Sequence, residues 1–329
     1  MPRTFEAAIK EGHFDKSVIV VSGVNNEEGL ILSSQFHKYP RRWNLFWKDW
    51  EKWAPMILFG READLVTDQD KEKVLKAREE FFKNHTDTIS NDEVPEMSDI
   101  NLRNLEQIFT TAIFHAPWVK DMKLLAKHGV QVYCFEFAYK GTMTIADIFR
   151  LTPMKMFMNF FGRYMGLKWF QNSELGVCHA DEMFYIFPFR TFGFPPTLKS
   201  SDDRSKSDHI SGFIFYFAEN DLTEKENRES PNDWKKLEPT GPFKVLQVNK
   251  NLNFAEFDEV KTERVKFWNE IIKPNENGSQ YIDFPVTDFY DLIAEKRLSS
   301  GCLKFSFNII DSFYSFSKIF RCCCCCVTK

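Results

Sequence analysis

Ser17-Val18-Ile19-Val20-Val21-Ser22, running into Gly23-Val24-Asn25-Asn26-Glu27-Glu28-Gly29-Leu30, is the stretch from which the fold of this chain is read. Its first six residues are a continuous apolar run rich in β-branched side chains. Such a run suits a strand buried on both faces, as strands of a parallel sheet are. The turn-forming residues Gly23–Asn26 follow where a parallel strand delivers a loop to the carboxyl edge of its sheet, the edge at which α/β proteins bind ligands. Glu28 lies in that loop, and Gly29 beside it permits unusual backbone angles and a close approach of other segments.

Two further strands read along the chain: Val130–Tyr139, dense in Val, Tyr and Phe, and Phe243–Val248. Between the first two, Trp43, Phe46, Trp47, Trp50 and Trp53 recur at spacings of three and four. They predict an amphipathic helix over Arg42–Leu58 that stops near Pro55, with the aromatic stripe as core. A charged helix follows over 64–84, then an acidic loop over Asp87–Asp99. Asn101–His128 is helical, broken or kinked at Pro117, and Gly129 turns the chain into the second strand. Gly141–Gln171 is rich in Met and Phe and either lines an apolar pocket or packs on the core as a lid-like helix. Ser200–Asp208 reads as a solvated loop, Ile210–Ala218 as a helix, and Asp258–Ile272 as an amphipathic helix.

At 329 residues the chain can bury a sizeable core, and aromatics at 16% favour a globular interior. With 47 acidic and 43 basic residues, a net charge of -4, there is no electrostatic case for binding nucleic acid. Five of the eight cysteines, Cys322–Cys326, are consecutive and cannot easily bridge one another, so cysteine usage does not report the redox compartment. Met1–Phe14 has no apolar core of signal-peptide length, and no stretch reads as a transmembrane segment. Asn84-His85-Thr86 and Asn277-Gly278-Ser279 are glycosylation triplets that matter only in a secreted chain.

The chemistry centres on Leu175–Phe189, where His179 follows Gly176 and precedes Asp181, Glu182 and an aromatic run. Serine-based ester hydrolysis needs a nucleophile, a base to take its proton, and an acid that orients the imidazole. In the α/β-hydrolase plan the acid precedes the histidine in the chain. Glu28 before His179 has that order, with Glu27 competing for the acid role.

Two motifs carry a resemblance to a known family. Gly23 to Gly29 resembles the G-x-N-x-x-E-G motif of type-B carboxylesterases, and Gly176 to Glu182 resembles their G-x-x-H-x-x-E motif. Val130–Tyr139 is similar to the family's strand ahead of the histidine, and Glu263–Trp268 to its E-R-x-x-F-W segment. The resemblance covers about residues 1–272 and is strongest to insect, juvenile-hormone-type esterases. It implies Glu28 as triad acid, His179 as general base, Asp181 and Glu182 as supports of the loop, and no cofactor or metal. It implies a small apolar ester as substrate of the complete family member, and complete relatives are often secreted.

The chain departs from the family in lacking the G-x-S-x-G nucleophile elbow and the glycine-rich oxyanion stretch. The expectation is therefore an incomplete α/β-hydrolase fold, the C-terminal portion of a carboxylesterase domain over 1–297, inactive alone. A disordered tail is expected over 298–329, and the first strand is expected to expose an unpaired edge prone to association. The alternative is a non-catalytic cholinesterase-like adhesion or binding module. Such modules usually carry a spanning helix and have lost triad residues, whereas Glu28 and His179 are present here. Lipidation of Cys322–Cys326 is a third, weaker reading.

Overall fold

The fold is taken from a computed structural model, which describes residues 5–59, 66–82, 93–141, 144–147, 175–187, 200–219 and 234–271, and the backbone of Cys325–Val327. The sheet contains β1 (Ile19–Asn25), β2 (Gln131–Phe137), β3 (Lys244–Val248), β4 (Leu252–Glu256) and β5 (Cys325–Val327). Their spatial order is β4-β3-β2-β1-β5. β1, β2 and β3 are parallel, with Ile19 opposite Gln131 and Phe135 opposite Leu246. β4 returns antiparallel on β3. The sequence reading did not include β4, whose five residues Leu-Asn-Phe-Ala-Glu alternate only in part, although the Asn-Lys-Asn run ahead of them is a turn signal.

Strand alternation divides the interior into two cores. Val20, Val24, Val132, Cys134 and Val245 join one, while Ile19, Val21, Phe137, Leu246 and Val248 join the other. Both faces of the sheet are therefore covered, which is why β1 reads as an unbroken apolar run. The first core is closed by α1 (Phe5–Lys10), α2 (Leu30–Lys38), α3 (Pro40–Lys48), α4 (Trp50–Phe59), α5 (Asp68–Phe82), α6 (Asp99–Phe109), α7 (Ala116–Lys127) and the helix Glu259–Ile271. The second is closed by helix Ser201–Glu219, the single turn Met183–Ile186 and Trp234.

Four local expectations change. The tryptophan-rich stretch is two helices that part at Asp49, and Pro55 lies inside α4 instead of stopping it. Burial of Trp50, Trp53, Ala54, Met56, Ile57 and Leu58 on one core outweighs the hydrogen bond that proline removes. Ser200–Asp208 is the start of a long helix, because the Ser200 hydroxyl accepts the Asp203 N–H and Asp202 and Asp203 sit in the first turn, where the helix dipole favours them. Gly29 has ordinary helical angles, φ -64° and ψ -13°. What its position requires is room, since a Cβ there would lie 2.2 Å from the Glu106 carbonyl oxygen. Finally, β5 pairs antiparallel with Ile19–Val21, so part of the outer edge of β1 is occupied. An open row of N–H and C=O groups is a template for any extended β-prone segment.

Cys134 and Cys178 are buried and are not joined in a disulfide. Among the described residues no helix is long and apolar enough to cross a membrane. Both glycosylation triplets, Cys302, and the Met- and Phe-rich positions 148–171 lie outside the described residues.

Candidate active site

The loop after β1 and the loop before Met183–Ile186 meet at the carboxyl edge of the parallel strands. Asn26 N–H donates to the Phe137 carbonyl at 3.0 Å, carrying the β1–β2 pairing one step past the sheet. Glu27 then fastens the two loops together. Its N–H donates to the Val177 carbonyl at 3.0 Å, and its carboxylate accepts the Val177 N–H at 2.6 Å. Gly176 makes that approach possible, because a Cβ there would sit 1.5 Å from Glu27 Oε2.

With Glu27 committed to backbone, Glu28 is the carboxylate that meets the imidazole. Its Oε2 lies 2.6 Å from His179 Nδ1, and its Oε1 accepts the Asn25 N–H at 2.6 Å. The Glu28 side chain is 6% exposed and that of His179 is 31% exposed. A carboxylate can only accept, so Nδ1 carries the proton and Nε2 keeps the lone pair. Nε2 hydrogen-bonds to no other described residue. Both glutamates thus face the same loop, Glu27 at Val177 and Glu28 at His179.

His179 and Ala180 occupy the middle of a tight turn closed by Asp181 N–H donating to the Cys178 carbonyl at 3.1 Å. Ala180 has φ 65°, a left-handed conformation that non-glycine residues adopt rarely and that costs about 1–2 kcal/mol. Asp181 supports this turn from inside. Its carboxyl accepts the N–H groups of Cys178 at 2.8 Å and Ile145 at 2.6 Å. Glu182 accepts from the Asn25 side-chain amide, which also donates to the Cys178 carbonyl at 2.8 Å.

Electrostatics follow from this packing. Burial pulls the His179 imidazole down, but the Glu28 carboxylate outweighs it by charge and hydrogen bond, with Glu182 and Asp181 adding, and the pKa lies above its ordinary value. Burial, then the neighbouring Glu28, holds the Glu182 carboxyl above its usual range. Burial pushes Asp181 well up despite its donors. Burial also raises the Cys178 thiol well above its ordinary value, so it is no nucleophile at neutral pH.

Several contributors carried no sequence signal. Thr110–His115 is a π-helix between α6 and α7, with Pro117 near the start of α7. Pro117 has no N–H to offer the preceding turn, and one wide turn absorbs the mismatch. The expected break at Pro117 is thus this short π segment. It presents Phe114, whose ring centroid is 5.0 Å from that of His179. It also presents His115, whose Nε2 donates to the Asn25 carbonyl at 2.9 Å. Thr110 accepts the Gly29 N–H at 2.7 Å and bonds the Glu106 carboxyl, which burial raises to about 8. Only Asn25 stood within a recognised motif, as the N of G-x-N-x-x-E-G.

Comparison with known proteins adds to this geometry. The family model described as the carboxylesterase family matches residues 1–268. Among solved structures, juvenile hormone esterase from Manduca sexta with OTFP covalently attached is similar with a TM-score of 0.50 and 14% sequence identity, over 76% of this chain and 40% of that one. At that identity the likeness is one of fold, an esterase α/β-hydrolase matched over part of its length. This chain spans 40% of that protein's length. Among curated proteins no match is found.

Proposed function

The chain belongs to the carboxylesterase family, and from that premise we propose that Glu28 and His179 are the acid and base of a Ser-Glu-His triad for hydrolysis of carboxylic esters. The observation that carries the reading is the 2.6 Å contact between Glu28 Oε2 and His179 Nδ1. It fixes the tautomer in which Nε2 can take a proton from a serine hydroxyl and later return it to the leaving alcohol. Glu28, buried and hydrogen-bonded, steadies the imidazolium that forms in between. The substrate class is a small apolar ester.

The nucleophile is not supplied by these 329 residues, in which no G-x-S-x-G occurs. Loss of the serine from such a triad costs about 10⁶ in turnover, roughly 8 kcal/mol of barrier. The chain alone therefore turns over no ester.

Two measurements on the purified chain test this. Proton NMR should show a far-downfield His179 Nδ1–H resonance that disappears in Glu28→Gln; its absence from the wild type refutes the acid–base pair. A fluorophosphonate probe and a p-nitrophenyl ester should give no labelled serine and no turnover; either signal refutes the missing nucleophile.

A further inference from the structure

Asn25 is joined both to Glu28 and to the turn that carries His179. Its backbone N–H donates to Glu28 Oε1 at 2.6 Å, and its side-chain amide donates to the Cys178 carbonyl at 2.8 Å and to the Glu182 carboxylate. Its own carbonyl accepts from His115 Nε2 at 2.9 Å. Cys178 and Glu182 bracket the turn that carries His179, so one amide spans the base of the imidazole's own loop.

The chemistry of that amide is informative. Facing a carbonyl and a carboxylate, both acceptors, only the NH₂ end can point inward. The other end, Oδ1, is then buried with no hydrogen-bond partner. A position filled only for packing, 1% exposed, would favour an apolar side chain, because an unmatched buried amide oxygen is destabilising. Retaining it makes sense where the two donated bonds do something else. Glu27 is no substitute, since it holds the loop at Val177, ahead of the turn.

We propose that Asn25 is a positioning residue, which holds the His179 turn against the Glu28 loop and so keeps Nδ1 on the carboxylate. The proposal rests on the reading of Glu28 and His179 as acid and base.

The test is made on the whole chain by proton NMR, following the His179 Nδ1–H resonance. Asn25→Leu keeps the size and removes both donors, and the resonance should be lost. Asn25→Asp should lose it too, because it sets a carboxylate against Glu182. Adding Glu182→Gln to Asn25→Asp restores the contact with residue 182 with the roles exchanged but not the one to the Cys178 carbonyl, and the resonance should return only in part. Trp234→Phe removes a buried hydrogen bond, 3.0 Å long, to the Cys134 carbonyl on β2, outside both loops of the pair; it should lower the Tm and leave the resonance in place. Should Asn25→Leu fail to fold, Glu182→Ala deletes one of the amide's contacts from the other side and should weaken the signal. A resonance that persists in Asn25→Leu, or that is as strong as wild type in Glu182→Ala where that substitute is used, overturns the proposal alone. A wild-type chain without the resonance removes the acid–base pair, and the proposal with it.

Discussion

Replacing Lys261 by methionine isolates the brace behind the loop that carries Glu28. Lys261, on helix Glu259–Ile271, reaches both the Glu136 carboxylate on β2 and Oδ1 of Asn26, the residue after β1. The Glu136 side chain is 3% exposed and that of Lys261 is 24% exposed. Methionine keeps the apolar stem and removes the charge, leaving a buried carboxylate with no counter-ion. Removing one partner of a buried pair costs about 3–5 kcal/mol. Water can reach Lys261, which places the expected loss near the lower end, about 3 kcal/mol. Urea unfolding followed by tryptophan fluorescence should show it as a midpoint lower by about 1 M, at a slope of about 3 kcal/mol per M. Lys261→Met with Glu136→Gln removes the stranded charge and should recover most of the loss, a coupling of about 2 kcal/mol. A single variant within about 0.5 kcal/mol of wild type, or a double variant that is merely additive, refutes the argument that a desolvated charge is what Lys261 offsets.

Other consequences are checked in the same way. Burial raises Glu106 from 4.5 to about 8, so the folded chain holds a proton that the unfolded chain releases. That stability is complete below the unfolded value and is lost as pH rises through about 8, by about 1.4 kcal/mol per unit between the two. Glu106→Gln should therefore match wild type in acid and exceed its Tm in alkali; a Tm difference that does not grow with pH refutes this. For His179, whose pKa is raised on folding chiefly by Glu28 against the pull of burial, the contribution is full below the ordinary imidazole value and lost as pH rises through the folded one. The Tm gap between wild type and Glu28→Gln should narrow across that window, and a constant gap contradicts the pairing. Gly176→Ala places a Cβ 1.5 Å from Glu27 Oε2 and should cost about 1–3 kcal/mol. Hydrogen exchange at the Val177 amide should accelerate, and unchanged protection there would show that Glu27 is free to step aside.

Which parts of this were legible in the sequence follows from the range of the forces involved. Apolar runs mark β1, β2 and β3 because a strand covered on both faces needs them, whatever lies around it. The order of Glu28 and His179, and the glycines beside them, stand in two short motifs and could be read directly. Elements whose signal was local but mixed were missed or misread: β4 is five residues long and alternates only in part, and Ser200–Asp208 looks like a loop until Ser200 is recognised as a cap.

Other features existed only once distant segments met. Residue type does not separate Glu27 from Glu28, which in the sequence differ only in their place in the motif. The difference is that one side chain faces Val177 and the other His179, which parallel pairing of β1 with β2 and the path back to residue 175 decide. The π-turn that brings Phe114 and His115 beneath the site arises from packing around Pro117, and the buried Lys261–Glu136 pair joins residues far apart in the chain. The sequence by itself determined a parallel α/β sheet with a glutamate and a histidine at its edge, because periodicity and motif chemistry act over a few residues. Tertiary structure alone decided what fastens the two loops together and what steadies the imidazole, because hydrogen bonds and desolvation depend on which groups share a site.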